Sequence, residues 1–387
     1  GLPFEWMNRR LRIAVNGRWL LTSGSDGTGW YTRALLERLT AQHPEVEWHV
    51  LVDRPSSASW DFLANATVHV LPPPARHWTL WHLWNRAAVP AALNRILPDA
   101  YWSPDGMLPL RGSVPLVGTV HDLGFVHRPQ DLGRVLGAYY RWMYRSSIRQ
   151  ADALLTVSET TRADVHRTYG YPLSQLHTAY NAPQRAFAPM SPEKAHSARA
   201  RWTNGRPYFL AVGSFTPRKN LALLLEAFDL FKEKTGSNHE LVLVGDSLHA
   251  DPAFDKALKN TQHRSSVVFP GRAKSDALQS LLGAAEALCF PSFFEGFGIP
   301  LVEAFQAGTP VISSSASCMP EIVGDAGWLV DPHSATAWAN SLERMAALPL
   351  SERQSLVERG LRRAADFSWD RSAETVFNVL SRAASRS

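Results

Sequence analysis

Residues 291–310 read PSFFEGFGIPLVEAFQAGTP, and this stretch decides how the second half of the chain folds. The apolar residues that lead up to Glu295 predict a strand, and Gly296 and Gly298 predict a loop whose backbone can approach a ligand closely. Pro300 suits the first turn of a following helix. The amino terminus of that helix is then aimed at a ligand site, where free N–H groups favour an anion such as a diphosphate.

The same rhythm of short apolar run and helical stretch recurs along the whole chain. A first series of strand-like runs covers 12–16, 47–52, 67–71, 116–120 and 153–157, and a second covers 208–213, 240–245, 266–270, 287–291 and 310–313. This alternation is typical of α/β domains with parallel sheets. We predict an N-terminal domain over 7–182 and a C-terminal domain over 205–366. The amphipathic segment 367–387 either packs on the second domain or crosses back to the first.

Composition restricts the class of protein further. The 387 residues are 45% hydrophobic and 19% charged, which indicates a folded globular chain of two domains. Two cysteines, Cys289 and Cys318, are too few for a disulfide framework, so we expect a reducing, cytoplasmic compartment. The net charge of +5 favours an anionic partner. Neither a secretory signal nor an apolar run long enough to span a membrane is apparent.

Two glutamates frame the glycine loop. Glu295 precedes the predicted helix and Glu303 lies eight residues later, so both can face one pocket, although a solvent-exposed pair is the alternative. This E-x7-E element resembles that of the retaining, nucleotide-sugar-dependent glycosyltransferases of family 4. Their GT-B fold has two Rossmann-like domains facing each other across a cleft. The resemblance implies that Glu303 binds the nucleotide ribose and that Glu295 lies against the donor sugar. It also implies that backbone groups hold the sugar and phosphates, namely those of Gly296, Phe297, Gly298 and Ile299.

A basic turn follows the first strand of the second domain. Arg218 and Lys219 are adjacent cations that can neutralise a departing diphosphate, with a solvated surface turn as the alternative. The resemblance supports Lys219 as a phosphate-binding and catalytic residue. Many relatives carry arginine where this chain has Ser214, so Arg218 is predicted to supply that charge. Arg272, after a later strand, is a candidate for a base or phosphate contact or a solvated cation.

The first domain offers fewer candidates. Gly27 and Gly29 lie in the glycine-rich stretch after the opening strand, which the resemblance places near the donor phosphates and which composition alone describes as a flexible loop. His121 follows the strand 116–120, where the family has a histidine near the donor sugar; a structural histidine is the alternative. Asp122 beside it is a candidate for acceptor contact or general base.

Aromatic residues on a predicted helix suggest a different contact. Trp78, Trp81 and Trp84 are spaced at i, i+3 and i+6 with cationic neighbours, a pattern that fits either a bilayer interface or core packing, and packing is favoured. The run 139–149, with arginines four residues apart, predicts a helix with one solvated face.

The resemblance implies a retaining glycosyltransferase that moves a hexose, with mannose from GDP-mannose as the first candidate. The expected acceptor is a hydroxyl of a polysaccharide or of a polyprenyl-diphosphate-linked glycan. A GT-B sugar-nucleotide epimerase and a catalytically inactive sugar-nucleotide binder remain alternatives. No D-x-D motif ends a strand suitably, so we expect no metal and no cofactor beyond the nucleotide sugar. We expect no nucleic-acid partner and a cytoplasmic location, with peripheral contact at the inner face of the plasma membrane left open.

Overall fold

The computed structural model describes residues 9–21, 27–57, 59–184, 187–246 and 251–386. The chain divides into two compact units. Unit 1 comprises residues 1–181 and 368–387, and unit 2 comprises residues 182–367.

Strands and helices alternate throughout the described residues. The strands are β1 (Arg12–Asn16), β2 (Glu47–Val52), β3 (Ala66–Val70), β4 (Ala100–Ser103), β5 (Leu116–Val120), β6 (Ala153–Thr156), β7 (Leu176–Thr178), β8 (Tyr208–Val212), β9 (Glu240–Val244), β10 (Val267–Gly271), β11 (Ala287–Phe290), β12 (Val311–Ser314) and β13 (Trp328–Val330). The α-helices are α1 (Gly27–Gln42), α2 (Trp78–Leu83), α3 (Val89–Ile96), α4 (Gly124–His127), α5 (Arg134–Gln150), α6 (Glu159–Tyr169), α7 (Pro192–Thr203), α8 (Leu221–Thr235), α9 (Pro252–Asn260), α10 (Ser275–Gly283), α11 (Ile299–Gln306), α12 (Met319–Val323), α13 (Ala335–Ala346), α14 (Leu350–Ala364) and α15 (Trp369–Ala384).

Each unit is built on one parallel sheet. The order in unit 1 is β3-β2-β1-β4-β5-β6-β7, and the order in unit 2 is β10-β9-β8-β11-β12-β13. Every residue of β5 and of β11 is buried, because helices cover both faces of the sheet and the strands are apolar on both sides. The predicted fold class, α/β with two Rossmann-like domains, is confirmed.

Both sheets reverse their winding direction beside their first strand. The reversal falls between β1 and β4 in unit 1 and between β8 and β11 in unit 2. In open α/β sheets a ligand binds outside the carboxyl ends of the strands at such a switch point. The loops after these four strands are therefore where functional side chains are expected.

The bounds of the units differ from the predicted domains at two places. Residues 182–204 belong to unit 2 and contain α7, whereas the sequence predicts that the second domain starts at residue 205. The C-terminal helix α15, whose position the sequence leaves open, belongs to unit 1. There the Ser372 hydroxyl donates to the Tyr180 carbonyl at 2.5 Å, and Arg38 pairs with Asp370 at 2.8 Å.

Within the described ranges, no helix combines the length and the apolar character that crossing a bilayer requires.

Candidate active site

The turn after β8 is held in place by its own backbone and by one asparagine. Gly213 has φ of +141°, and a Cβ there would lie 3.3 Å from the Lys219 Cε. Asn220 adopts the left-handed conformation at φ of +57°, and its buried amide donates to the carbonyls of Pro291 at 3.0 Å and Pro332 at 2.8 Å. These bonds tie the turn to the chain after β11 and after β13, so its two cations are brought to the end of β11.

The two cations of the turn converge on one buried carboxylate. Lys219 Nζ lies 2.7 Å from Glu295 Oε1, and Arg218 Nη1 lies 2.5 Å from Glu295 Oε2. The Glu295 side chain is only 10% exposed. Burial by itself raises the pKa of Glu295, but the adjacent Arg218 and Lys219 charges outweigh it and hold the pKa at about 2. Glu295 is therefore an anion under all ordinary conditions, and the cluster of three carries one net positive charge.

The cations differ in their surroundings. Burial lowers the pKa of Lys219, which the Glu295 carboxylate opposes, and its ammonium lies 5.1 Å from the centre of the Phe290 ring. Arg218 is one third exposed and also donates to the Phe294 carbonyl at 2.8 Å. Arg218 therefore lies beside Lys219 and pairs with the same carboxylate, so that two cations are present in the turn although Ser214 is uncharged.

The loop that carries Glu295 is fixed by a serine and a glycine. The backbone N–H of Glu295 donates to the Ser317 hydroxyl at 3.2 Å, which itself donates to the Glu295 carbonyl at 2.8 Å. Gly298 begins α11 at φ of +87°, a conformation that L-residues rarely adopt. The Phe297 side chain is buried and packs edge-on against Phe367 at 5.2 Å, so only its backbone can contact a ligand.

Glu303 lies on α11 beyond this loop. Its side chain is 6% exposed, which excludes the solvated pair of glutamates that the sequence left open. A carboxylate is seldom buried without a reason, since its desolvation is costly unless partners compensate it. Both members of the E-x7-E element are therefore buried within unit 2.

A small cavity of about 10 Å³ lies beside the basic turn. Gly213, Ser214, Lys219, Phe290 and Ser292 line it. The Ser292 hydroxyl is buried there and has no hydrogen-bond partner among the described residues. An unsatisfied buried hydroxyl is unfavourable, so this position suits a polar atom supplied from outside the chain.

Arg272 does not join this cluster. It follows β10 and pairs with Asp246, which follows β9, at 2.5 Å. Both side chains are substantially exposed, at 59% and 41%. The pairing uses Nε of Arg272, so the predicted base or phosphate contact would fall to its other guanidinium N–H groups.

The candidates of unit 1 lie at the carboxyl end of its own sheet. His121, directly after β5, donates from Nε2 to the Pro104 carbonyl at 2.7 Å, and its ring stands edge-on to Tyr31 at 4.8 Å. Because a carbonyl only accepts, Nε2 carries the proton. Asp122 accepts from the Gly124 N–H at 2.7 Å, which ties it to the turn that opens α4.

The glycine-rich stretch is only partly within the described residues. Residues 22–26 lie outside them, and Gly27 and Gly29 form the first turn of α1 rather than a flexible loop.

One functional candidate of unit 1 was missed by the sequence analysis. Asp105, after β4, is 4% exposed, and its carboxylate accepts from Ser103 at 2.7 Å, Trp19 at 2.8 Å and Arg18 at 3.2 Å. It was missed because the sequence analysis predicted no strand over β4, so that Asp105 was not recognised as a residue at a strand end.

The three tryptophans spaced at i, i+3 and i+6 mainly pack. Trp84 is fully buried and donates to the Leu71 carbonyl at 2.9 Å, and the Trp78 ring lies 5.0 Å from that of Tyr139. Packing is thus confirmed for Trp84. Trp142 of α5, a neighbouring tryptophan outside this pattern, is exposed at 53%.

Each of the two units matches a model of a glycosyltransferase family. The family described as Glycosyltransferase Family 4 matches residues 25–182, and the family described as Glycosyl transferases group 1 matches residues 193–363. The O-antigen chain mannosyltransferase B of Escherichia coli is 31% identical over 244 residues, which are 62% of this chain and 64% of that protein. The chain spans less than two thirds of the length of the curated relatives it matches.

Solved structures agree with this chain in fold. Sucrose-phosphate synthase from Thermosynechococcus elongatus superposes with a TM-score of 0.77 at 20% identity, over 98% of this chain and all of the other. WaaG, a glycosyltransferase involved in lipopolysaccharide biosynthesis, superposes with a TM-score of 0.74 at 18% identity, over 96% of this chain and all of the other.

Proposed function

Because the chain belongs to the GT-B glycosyltransferases, as a family 4 module followed by a group 1 module, we propose that it is a retaining mannosyltransferase. The donor is GDP-mannose, and the acceptor is a hydroxyl of a growing polysaccharide or of a polyprenyl-diphosphate-linked glycan. The name of the Escherichia coli relative, an O-antigen chain mannosyltransferase, supports the sugar and the type of acceptor.

The observation that carries this proposal is the ion cluster of Arg218, Lys219 and Glu295. Bond cleavage leaves negative charge on the diphosphate, and a cation stabilises that charge most in a site that excludes water. Lys219 lies in such a site, and Arg218 offers a planar fork that matches phosphate oxygens. The amino terminus of α11 lies on the same loop, and the positive end of its helix dipole favours an anion there.

Glu295 has two tasks in this proposal. In the absence of donor it neutralises part of the charge of Arg218 and Lys219, so that two cations can be held together in a buried place. With donor bound it accepts hydrogen bonds from the sugar hydroxyls and positions the anomeric carbon. Glu303 binds the ribose hydroxyls of the donor.

The transfer retains the anomeric configuration when the acceptor attacks from the face that the diphosphate leaves. The bond between the anomeric carbon and the phosphate oxygen breaks, the acceptor oxygen takes its place, and the acceptor proton leaves with the diphosphate. Metal independence stays a prediction, in which Arg218, Lys219 and the helix amino terminus supply the charge that a metal ion would otherwise provide.

A thermal-shift panel of GDP-, UDP-, ADP- and dTDP-sugars tests the donor site, because a ligand that binds the native state raises its apparent stability. We expect a shift with GDP-mannose that Glu303→Ala abolishes. Glu358→Ala is the matched control, since Glu358 is an exposed glutamate of α14 in the same unit. No shift with any of these sugars would refute the donor assignment.

Turnover is measured with radiolabelled GDP-mannose and a lipid-linked glycan acceptor, and NMR of the product reports its anomeric configuration. Product of inverted configuration would refute the retaining mechanism. Conversion of the sugar without any acceptor would identify an epimerase instead, and binding without turnover an inactive sugar-nucleotide binder.

We also propose peripheral membrane contact, which brings a lipid-linked acceptor within reach. The surface of α2 and α5 exposes Leu83 (48%), Val135 (68%) and Trp142 (53%), and Arg86 lies 5.5 Å from the Trp142 ring. Aromatic rings beside cations favour the bilayer interface. Flotation with phosphatidylcholine vesicles should be reduced by Trp142→Ala and unchanged by Leu350→Ala, another exposed apolar residue. Equal flotation of both variants and the wild type would refute this contact.

A further inference from the structure

A pocket of about 460 Å³ opens in unit 1 away from the residues discussed so far. Its lining includes Asp152, directly before β6, and Gln175, directly before β7. In a parallel sheet the residues that precede the strands lie at the amino edge, opposite the carboxyl edge where His121 and Asp105 lie. The pocket is therefore separate from the candidate site of its own unit, and its volume is in the range of small-molecule pockets.

Arginines dominate the lining of this pocket, which we call the arginine pocket. Arg111, Arg145, Arg149 and Arg386 line it, with Asp152 as the one carboxylate. Asp152 is already engaged, because it pairs with Arg111 and accepts from the Leu116 N–H at 2.8 Å. Among the described residues no carboxylate forms an ion pair with the other three arginines.

Helix ends at the pocket reduce this positive charge without cancelling it. The helices α5, α6 and α15 all end at the pocket, and each carboxyl end contributes about half a negative elementary charge. The four arginines and Asp152 carry a formal charge of +3. The three helix ends together offset about 1.5 of these positive charges. The pocket therefore keeps a net charge of about +1.5, which is available to bind an anion.

A smaller cavity beside the arginine pocket extends the basic region. It has a volume of about 40 Å³, shares Asp152, Gln175 and Arg386 with the pocket, and adds Arg382 and His177. Burial lowers the pKa of His177, and the charges of Arg382, Arg162 and Arg386 lower it further. The pKa of His177 therefore depends on the positive charge at this edge of the sheet, and it should rise when a bound anion neutralises that charge.

We propose that the arginine pocket binds a phosphate-bearing anion, with Arg145 and Arg149 as its main ligands and Arg386 closing it from the C-terminal segment. Arginine forks match the geometry of phosphate oxygens, and three guanidinium groups around one pocket favour a phosphomonoester or a diphosphate over a single carboxylate. The phosphate comes either from a soluble metabolite or from the head group of an anionic lipid. This site is independent of the proposed transferase reaction.

The test uses inorganic diphosphate as the probe and the ring resonance of His177 as a local readout, assigned through His177→Gln. Titration should shift that resonance and raise the pKa of His177. The double variant Arg145→Gln/Arg149→Gln should weaken diphosphate binding at this readout about tenfold or more, since it removes two charge-assisted contacts. The matched control is Arg134→Gln/Arg141→Gln, which removes two exposed charges from the same helix outside the pocket.

A parallel experiment measures binding to vesicles of phosphatidylcholine with and without phosphatidylglycerol. Binding of diphosphate that only the pocket variant loses supports a soluble ligand. Binding of anionic vesicles that only the pocket variant loses supports a lipid head group. The proposal is overturned if neither probe binds, or if the pocket variant binds both as the wild type does. Arg386→Gln lies beyond the last helix and keeps the test valid should the double variant fold poorly.

Discussion

Replacing Glu295 by glutamine is predicted to destabilise unit 2, because it leaves Arg218 and Lys219 together without a counterion. The pKa of Glu295 falls from an ordinary 4.5 to about 2 in the folded chain. This lowering of the pKa corresponds to about 3 kcal/mol of folding free energy at pH 7. Losing one partner of a buried pair costs about 3 to 5 kcal/mol in other proteins, which agrees in size.

The effect should also depend on pH in a defined direction. Since the folded pKa is depressed, the unfolded chain takes up the proton first, and the stabilisation is complete only above pH 4.5. It is lost as the pH falls towards 2. At a pH of about 3.5 the wild type has already lost part of this contribution, so the glutamine variant should then be less stable by about 2 rather than about 3 kcal/mol.

Urea denaturation at both pH values measures this difference, with hydrogen exchange of the amides in β8 and β11 reporting on unit 2. Glu358→Gln, an exposed substitution in the same unit, should change stability by less than about 0.5 kcal/mol. A glutamine variant as stable as the wild type at neutral pH would refute the ion-pair reasoning. A difference that stays constant down to acidic pH would refute the assigned pKa.

Three further substitutions or treatments test other parts of the site. Gly298→Ala should cost about 1 to 3 kcal/mol and weaken GDP-mannose binding, because its φ is +87° and the new Cβ would lie 2.9 Å from a leucine methyl group. Gly205→Ala, at φ of +82° with no atom within 4 Å, isolates the backbone strain, and equal losses in both variants would contradict the steric argument. Asn220→Ala removes two buried hydrogen bonds to Pro291 and Pro332 and should cost about 2 to 4 kcal/mol in thermal or urea unfolding; a loss below about 0.5 kcal/mol would show that these bonds do not hold the turn. Mannosyl transfer should be unchanged by EDTA, and activity lost with EDTA and restored by a divalent cation would overturn metal independence.

Much of the architecture could be predicted because each unit repeats a local pattern. Apolar runs such as 12–16, 208–213 and 240–245 contain the largely buried strands β1, β8 and β9 of the parallel sheets, and they are visible without any knowledge of their neighbours. β7 and β13 were missed because three residues are too few to show a period, and β4 was missed although it is as long as β6, β11 and β12. Asp105 was missed with β4, since its significance depends on the strand that it follows.

In the candidate site, too, features formed by residues close in sequence could be predicted, whereas contacts between residues far apart in sequence could not. Gly296, Gly298 and Pro300 lie within a few residues of Glu295, so their spacing could indicate a glycine loop and a helix start. The pairing of Arg272 with Asp246, by contrast, joins residues 26 positions apart in two neighbouring strand ends, and no local pattern reveals it.

The sequence by itself determined the two α/β domains, the glycine loop, the two glutamates and the basic turn, because each rests on periodicity or spacing within a short stretch. Only the tertiary structure decided that Arg218 and Lys219 both form ion pairs with the Glu295 carboxylate. Glu295 lies 76 residues along the chain from Lys219. The tertiary structure also decided that α15 packs in unit 1 and that four arginines from three separate parts of the chain line one pocket. These features depend on the order of strands in the sheets, which brings distant residues together through the packing of the whole unit.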